Sequence, residues 1–264
     1  MRSRPDRHAW SEPAAAYPGA VSEPDHTLTA PAERAPVRWG LGDAAGGWLL
    51  AQLGGLIAIV IVAALSGQSA ETTDDLSLGW LAVAQLGLWA GLGGVPWLAA
   101  RLKGNGVVKD FGLRAAWVDP LIGLGVGLGT QVLIAMLYAP VFELFDLSSE
   151  DLEEPARGLT DRATDPLGVV LLVLIVGIGA PIVEELFYRG LLLRSLERRF
   201  GPAWAVAGSG LLFGATHFQP LQFPALALLG VILGILTVRT GRLGPAIFTH
   251  MTFNLVTVVY LVGS

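Results

Sequence analysis

The chain has 264 residues and no cysteine, and 53% of its residues are apolar while only 15% are charged. Soluble domains average about 25% charged residues, and a water-soluble fold of this size still exposes much of its surface, so the composition disfavours a soluble enzyme. The net charge of -5 offers no basic surface for nucleic acid, and the absence of cysteine excludes disulfides and thiolate metal sites.

Residues 1–40 are predicted to form a disordered cytoplasmic tail. This segment is rich in Pro, Ala, Ser, Glu and Arg and has no apolar periodicity, so it cannot bury enough surface to offset the entropy lost on ordering. No apolar stretch lies near Met1, and we therefore expect no cleaved secretory signal.

Seven apolar stretches are candidates for membrane spans, since about 20 consecutive apolar residues cross a bilayer. Lipid offers no partner for an open sheet edge, so each span is expected to be a helix. The predicted fold class is all-α, a polytopic transmembrane bundle of about seven spans. The fifth stretch is short and the sixth contains Pro224. The stretches are residues 46–66, 77–100, 120–145, 167–193, 202–218, 221–238 and 243–262.

Basic residues predict which side of the membrane each linker occupies, because Lys and Arg are retained in short cytoplasmic loops. Fifteen of the 17 basic residues lie on the side of the N-terminus, and only Arg157 and Arg162 lie opposite. We therefore predict a multi-pass cell-membrane protein with a cytoplasmic N-terminus. Its parts are N-terminal transmembrane helices (41–145), an acidic extracytoplasmic loop (146–166) and a C-terminal helical core (167–264).

Ionisable side chains inside the predicted spans are concentrated in the C-terminal core. Each costs about 2.5–3.5 kcal/mol near the bilayer centre, so such residues usually mark function. The four-residue spacing of Glu185 and Arg189 places them within ion-pair reach, and Pro181 is expected to open the helix locally. The polar residues are Glu184, Glu185 and Arg189 on the fourth span, His217 on the fifth, and His250 and Asn254 on the seventh.

Three motifs in this core carry a family resemblance. Glu184-Glu185-x-x-x-Arg189, Phe213-x-x-x-His217 and His250-x-x-x-Asn254, in that order on successive helices, resemble the CPBP family. This family comprises the CAAX proteases and the bacteriocin-processing enzymes formerly called Abi proteins. The resemblance covers residues 167–260, and it implies an intramembrane endopeptidase.

The resemblance also implies a role for each motif residue. Glu184 is expected to activate a water molecule that His217 helps to hold, and His250 and Asn254 are expected to stabilise the developing oxyanion. Glu185 and Arg189 are expected to form a structural pair. Expected partners are the bilayer and a membrane-embedded or lipidated peptide or protein.

Metal dependence is a further expectation, because the family has also been described as metal-dependent. A carboxylate with two imidazoles, here Glu184, His217 and His250, is a plausible ligand set for a divalent metal such as zinc. The sequence leaves open whether the water is activated by glutamate or by a metal.

Two other classes of function remain as alternatives. Intramembrane carboxylates and histidines also occur in proton-coupled transporters, although such folds tend to contain two inverted halves, and no matching halves are visible here. A non-catalytic membrane scaffold that uses the polar cluster to bind a partner is the other alternative.

Overall fold

The structure, a computed structural model, describes residues 36–67 and 76–263. Every regular element in these ranges is a helix, which confirms the predicted all-α class. Six helices are long and apolar enough to cross a membrane, and a shorter apolar helix accompanies them. The elements are α1 (Leu41–Ser66), α2 (Leu78–Lys103), α3 (Val107–Asp110), α4 (Asp119–Phe145), α5 (Ser149–Thr160), α6 (Pro166–Phe200), α7 (Pro202–Ala215), α8 (Phe223–Thr240) and α9 (Gly244–Gly263).

The predicted fifth span, residues 202–218, is shorter than expected. Helix α7 has 14 residues and ends at Ala215, so it is about 21 Å long at 1.5 Å per residue. The hydrocarbon core of a bilayer is about 30 Å thick, and α7 is too short to cross it unaided. Each of the other six predicted spans coincides with one of the six long helices.

Large apolar side chains cover the outer faces of the long helices. Leu65, Met136 and Leu144 are 70%, 70% and 77% exposed, and many other Leu, Ile and Val side chains are exposed beside them. Soluble monomers rarely expose continuous apolar surface of this kind. These faces are therefore lipid-facing surfaces of a multi-pass membrane protein.

The predicted tail, residues 1–40, lies largely outside the described residues. Residues 36–40 are described, and they are packed against the helices. Trp39 is buried, its indole N–H donates to Asp110 Oδ2 at 2.9 Å, and the Arg198 guanidinium lies 3.7 Å from the centre of its ring. The packed structure thus extends further toward the N-terminus than the composition indicates, because Trp39 has partners for both its ring and its N–H.

The acidic segment 146–166, predicted as a loop, contains the helix α5. The Ser148 hydroxyl accepts the Asp151 N–H, and Asp151 Oδ2 accepts the Ser148 N–H at 2.7 Å, which is a capping box. These hydrogen bonds from Ser148 hold the pKa of Asp151 below its usual value. Gln222 Nε2 donates to the Leu152 carbonyl at 2.7 Å, so α5 is tied to the connection between α7 and α8.

Helix α6 is the central helix, because it contacts α1, α2, α7, α8 and α9. It is continuous over 35 residues, but the segments Val173–Gly179 and Leu186–Leu192 have the wider turn of a π-helix. They flank the α-helical segment Ala180–Glu185. Such π-helical segments are rare and are frequent at functional sites.

Helices α1 and α2 touch backbone to backbone where two glycines face each other. A Cβ atom on Gly87 would lie only 2.3 Å from the Gly54 carbonyl oxygen.

We expect Gly87→Ala to lower the free energy of unfolding by about 1–3 kcal/mol, because the helices must separate. Thermal unfolding in detergent measures this, and Gly94→Ala on the same helix, which has open space at its Cβ, is the control. Equal losses in both variants would contradict the close contact.

Candidate active site

A charged pair is buried in the middle of α6. Glu185 and Arg189 have no exposed surface, and Arg189 Nη1 donates to Glu185 Oε1 at 2.9 Å, as the four-residue spacing predicts. Arg189 Nη2 also donates to the Gly230 carbonyl on α8 at 3.0 Å. Both charges are thus compensated, which a buried site requires because an unpaired charge there is strongly destabilising.

His250 on α9 is attached to this pair. Its Nδ1 lies 3.0 Å from Glu185 Oε1, and an ionised carboxylate can only accept, so Nδ1 carries the hydrogen. In a neutral imidazole the other nitrogen, Nε2, then keeps its lone pair. Glu185 therefore sets both the position and the tautomer of His250.

Glu184 is the carboxylate next to the free side of the same imidazole. Its Oε2 lies 3.9 Å from His250 Nε2, and its side chain is 15% exposed where that of Glu185 is fully buried. Adjacent residues on a helix point about 100° apart, so the two carboxylates have different surroundings. Glu185 is a buried anchor, whereas Glu184 is an accessible group that faces an imidazole nitrogen.

His217 lies two residues after the last residue of α7, and its side chain caps the end of that helix. Its Nδ1 donates to the Phe213 carbonyl at 2.6 Å, one of the terminal carbonyls that lack a donor within the helix. This bond again leaves Nε2 free. The neighbouring Thr216 hydroxyl is 2.6 Å from the Tyr188 hydroxyl on α6, so the end of α7 is joined to α6 one turn beyond Glu184.

The Phe213 ring connects the two histidines. It is fully buried, and its centre lies 4.8 Å from the His217 ring and 5.5 Å from the His250 ring. The Arg189 guanidinium is 4.5 Å from the same ring centre, a cation–π distance. The sequence analysis named Phe213 as part of a motif but assigned it no role, and it did not name Tyr188 as a site residue. The signal for Phe213 was its four-residue spacing from His217.

Asn254 lies one turn beyond His250 on α9 but binds a different part of α6. Its Nδ2 donates to the Val176 carbonyl at 2.9 Å, inside the first π-helical segment. The side chain expected to face an oxyanion therefore has its amide nitrogen bonded to the backbone.

The six predicted site residues thus fall into three groups. Four of them form one contact network, namely Glu184, Glu185, Arg189 and His250. His217 joins this network through Phe213, and Asn254 stands apart on the α6 backbone.

The same geometry bears on the predicted metal ligands Glu184, His217 and His250. Within residues 36–67 and 76–263, no three His, Asp or Glu side chains are arranged to hold one metal ion. Both imidazoles keep a free Nε2, but with Glu184 they do not form a shared ligand set. As placed, these residues do not fit a three-ligand metal site, and zinc dependence stays a prediction.

The part of the chain that contains this site is similar to a known protein family. Residues 166–256 match the family described as type II CAAX prenyl endopeptidase Rce1-like. The chain is 23% identical over 222 residues, covering 80% of this chain and 85% of the relative, to the Bacillus subtilis protein named "Putative membrane peptidase YdiL". No solved structure matches the chain. All six predicted site residues lie within the matched region.

Proposed function

We propose that this chain hydrolyses a peptide bond with a water molecule that Glu184 activates. Its residues 166–256 belong to the CPBP family of intramembrane proteases. The observation that carries the proposal is the approach of Glu184 Oε2 to His250 Nε2, 3.9 Å apart, beside a buried ion pair. An accessible carboxylate next to an imidazole of fixed orientation is suited to general acid–base catalysis.

In the first step, Glu184 takes a proton from the water, and the water oxygen attacks the peptide carbonyl carbon. His217 is suited to orient this water, because its Nδ1–H is bonded to the Phe213 carbonyl and its Nε2 can accept a hydrogen bond. General-base catalysis of this kind typically contributes about 10²–10⁴-fold to the rate.

The carbonyl oxygen becomes an oxyanion in this step, and we propose that His250 donates a hydrogen bond to it. For this, Nε2 must carry a proton while Nδ1–H stays bonded to Glu185. One such donor is typically worth about 10²–10³-fold in kcat.

In the second step, the protonated Glu184 returns its proton to the amide nitrogen as the carbon–nitrogen bond breaks. The products are a carboxylic acid and an amine, and Glu184 is again a carboxylate. The cycle consumes one water molecule and leaves no net proton on the protein.

The proposed substrate is a peptide or protein embedded in the membrane or attached to it by a lipid. Helix α6, which carries Glu184, contacts α2, α7, α8 and α9, and the outer faces of the long helices are apolar, so the site belongs to a protein whose surroundings are the bilayer. We also propose a cell-membrane location with a cytoplasmic N-terminus, because 15 of the 17 basic residues lie on that side.

Reconstituted protein tests the proposal. The purified chain in liposomes is incubated with membrane-associated peptides, including one C-terminal sequence in prenylated and unprenylated form, and products are identified by mass spectrometry. We expect cleavage at a defined bond, and cleavage at least about 100-fold slower with Glu184→Gln protein purified in parallel, which controls for contaminating proteases. Proton flux without cleavage of any peptide would favour the transporter instead.

The metal prediction is tested with the same preparation. Elemental analysis and treatment with a chelator are combined with the cleavage assay. Full activity in metal-free protein supports a water activated by Glu184 alone. Loss of activity that zinc restores would show that a metal activates the water.

A further inference from the structure

A recess of about 410 Å³ lies at the end of α2, one of the helices long and apolar enough to cross a membrane. The residues that line it are Trp97, Arg101, Gly104, Asn105, Gly106 and Val107. None of them belongs to the candidate active site, and none lies in residues 166–256, the part of the chain that matches the protease family. The recess therefore needs an explanation of its own.

One wall of the recess, residues 104–106, is held in place by a single carboxylate. Asp110 Oδ2 accepts the backbone N–H of Asn105 at 2.8 Å, and Asp110 Oδ1 accepts the Asn105 side-chain amide at 3.2 Å. Trp39 Nε1 donates to the same carboxylate at 2.9 Å. Gly104 packs so closely that a Cβ atom on it would overlap Asp110 Oδ2. The recess is thus a fixed feature of the fold, and the carboxylate beside it already has three donors.

Arg101 is the cation of this recess, and it has no counter-ion. Its guanidinium lies 5.4 Å from the centre of the Trp97 ring, which is four residues earlier on the same helix face. In the part of the chain that the structure describes, no carboxylate forms an ion pair with Arg101, whereas Lys103 is paired with Asp43. A guanidinium presents its N–H groups in a planar fork that matches two oxygens of a phosphate group.

The helix surface beside the recess is apolar. Trp97 is 48% exposed, and the neighbouring Leu98 and Leu102 are 46% and 66% exposed. A tryptophan at the end of a membrane-spanning helix typically lies at the level of the lipid headgroups. A molecule bound here therefore meets a cation at the membrane surface and apolar side chains next to it. A phospholipid has the matching arrangement of a phosphate and acyl chains.

We propose that this recess binds the headgroup of an anionic phospholipid, with Arg101 on its phosphate and Trp97 beside its glycerol and first acyl carbons. Basic recesses at the membrane surface are typical binding sites for anionic headgroups. A free phosphate ion would satisfy Arg101 but would gain nothing from the apolar surface of Leu98 and Leu102. A zwitterionic headgroup would bring a second positive charge to Arg101, so an anionic lipid is favoured.

Phosphatidylglycerol added to the detergent-solubilised protein tests the site, with phosphatidylcholine and inorganic phosphate as comparison ligands. A ligand that binds only the folded state raises the unfolding temperature, so titrations followed by thermal unfolding give each Kd. We expect saturable stabilisation by phosphatidylglycerol, at least about tenfold weaker binding of phosphatidylcholine, which is about 1.4 kcal/mol, and no stabilisation by inorganic phosphate. Arg101→Gln should weaken phosphatidylglycerol binding by about 10–100-fold, as expected for hydrogen bonds between charged groups.

Arg114→Gln is the matched control. Arg114 is exposed in the same connection between α2 and α4, but it does not line the recess. It should therefore contribute only through the general attraction between a basic residue and an anionic surface, so its replacement should weaken binding by about fivefold or less. The unfolding temperature of each variant without added lipid shows whether the variant folds.

Equal weakening by Arg101→Gln and Arg114→Gln would overturn the proposal, because only the general surface charge would then attract the lipid. Equal affinities for phosphatidylcholine and phosphatidylglycerol would overturn it as well. Stabilisation by inorganic phosphate at the same affinity as the lipid would show a simple anion site in place of a lipid site. The measurement requires no substrate, so its outcome does not depend on the proposed hydrolysis.

Discussion

Glu184→Gln is expected to lower kcat by about 10²–10⁴-fold while leaving KM and the helical fold nearly unchanged. Glutamine keeps the shape of glutamate, but its amide oxygen does not take up a proton from water in the way that a carboxylate does. The Glu184 side chain is 15% exposed, so its charge is not enclosed like that of Glu185. Initial rates over a range of peptide concentrations in liposomes separate kcat from KM.

Glu143→Gln is the matched control for this change. Glu143 is exposed on α4, so the same replacement there should leave cleavage unaltered. Undiminished cleavage by the Glu184→Gln protein would reject Glu184 as the base. Loss of cleavage together with a large drop in unfolding temperature would instead assign Glu184 a structural role.

Glu185→Gln, one residue further along, is expected to destabilise the protein by about 3–5 kcal/mol. The replacement removes the carboxylate that is hydrogen-bonded to the fully buried Arg189 guanidinium, which is the costly way to break a buried pair. It also replaces the charged acceptor that holds His250 Nδ1 with a neutral amide. Thermal unfolding in detergent measures the loss. Replacement of Glu184 should therefore lower mainly the rate of cleavage, whereas replacement of Glu185 should lower mainly the stability of the fold.

Two further variants identify the cause. Glu185→Gln combined with Arg189→Met removes both charges and should regain much of the stability, because no unpaired charge stays buried. Glu153→Gln breaks a partly exposed pair with Arg157 of the same four-residue spacing, 2.8 Å long, and should cost less than about 1 kcal/mol. Similar losses from Glu185→Gln and Glu153→Gln would contradict the argument from burial.

Much of the fold could be predicted because membrane helices follow from local composition. A long apolar stretch in lipid must satisfy its own backbone groups, so six of the predicted spans coincide with long helices. Helix ends were predicted less well, because they depend on caps and partners. Helix α5 begins at the Ser148 capping box, a local signal that composition conceals, and α7 ends at Ala215 where Thr216 and His217 bond back to the helix.

The site was predictable only in part, for a related reason. Spacing along one helix correctly predicted the pair of Glu185 and Arg189, because residues four apart share a face. The contact of His250 with Glu185 joins residues 65 apart in the chain. No periodicity within either helix indicates which faces meet. The partner of Asn254 was likewise hidden, because it is a backbone carbonyl inside the first π-helical segment.

The amino-acid sequence by itself determined that this is a helical membrane protein. It also determined that the ionisable side chains inside the predicted spans are concentrated in the C-terminal core, because apolar length and the cost of charge in lipid act on each segment separately. Only the tertiary structure decided which carboxylate is enclosed and which is accessible, how the two imidazoles are oriented, and which amide supports the π-helical turns. These features depend on the relative depth and rotation of helices that are distant in the chain. Packing among all of them sets that depth and rotation.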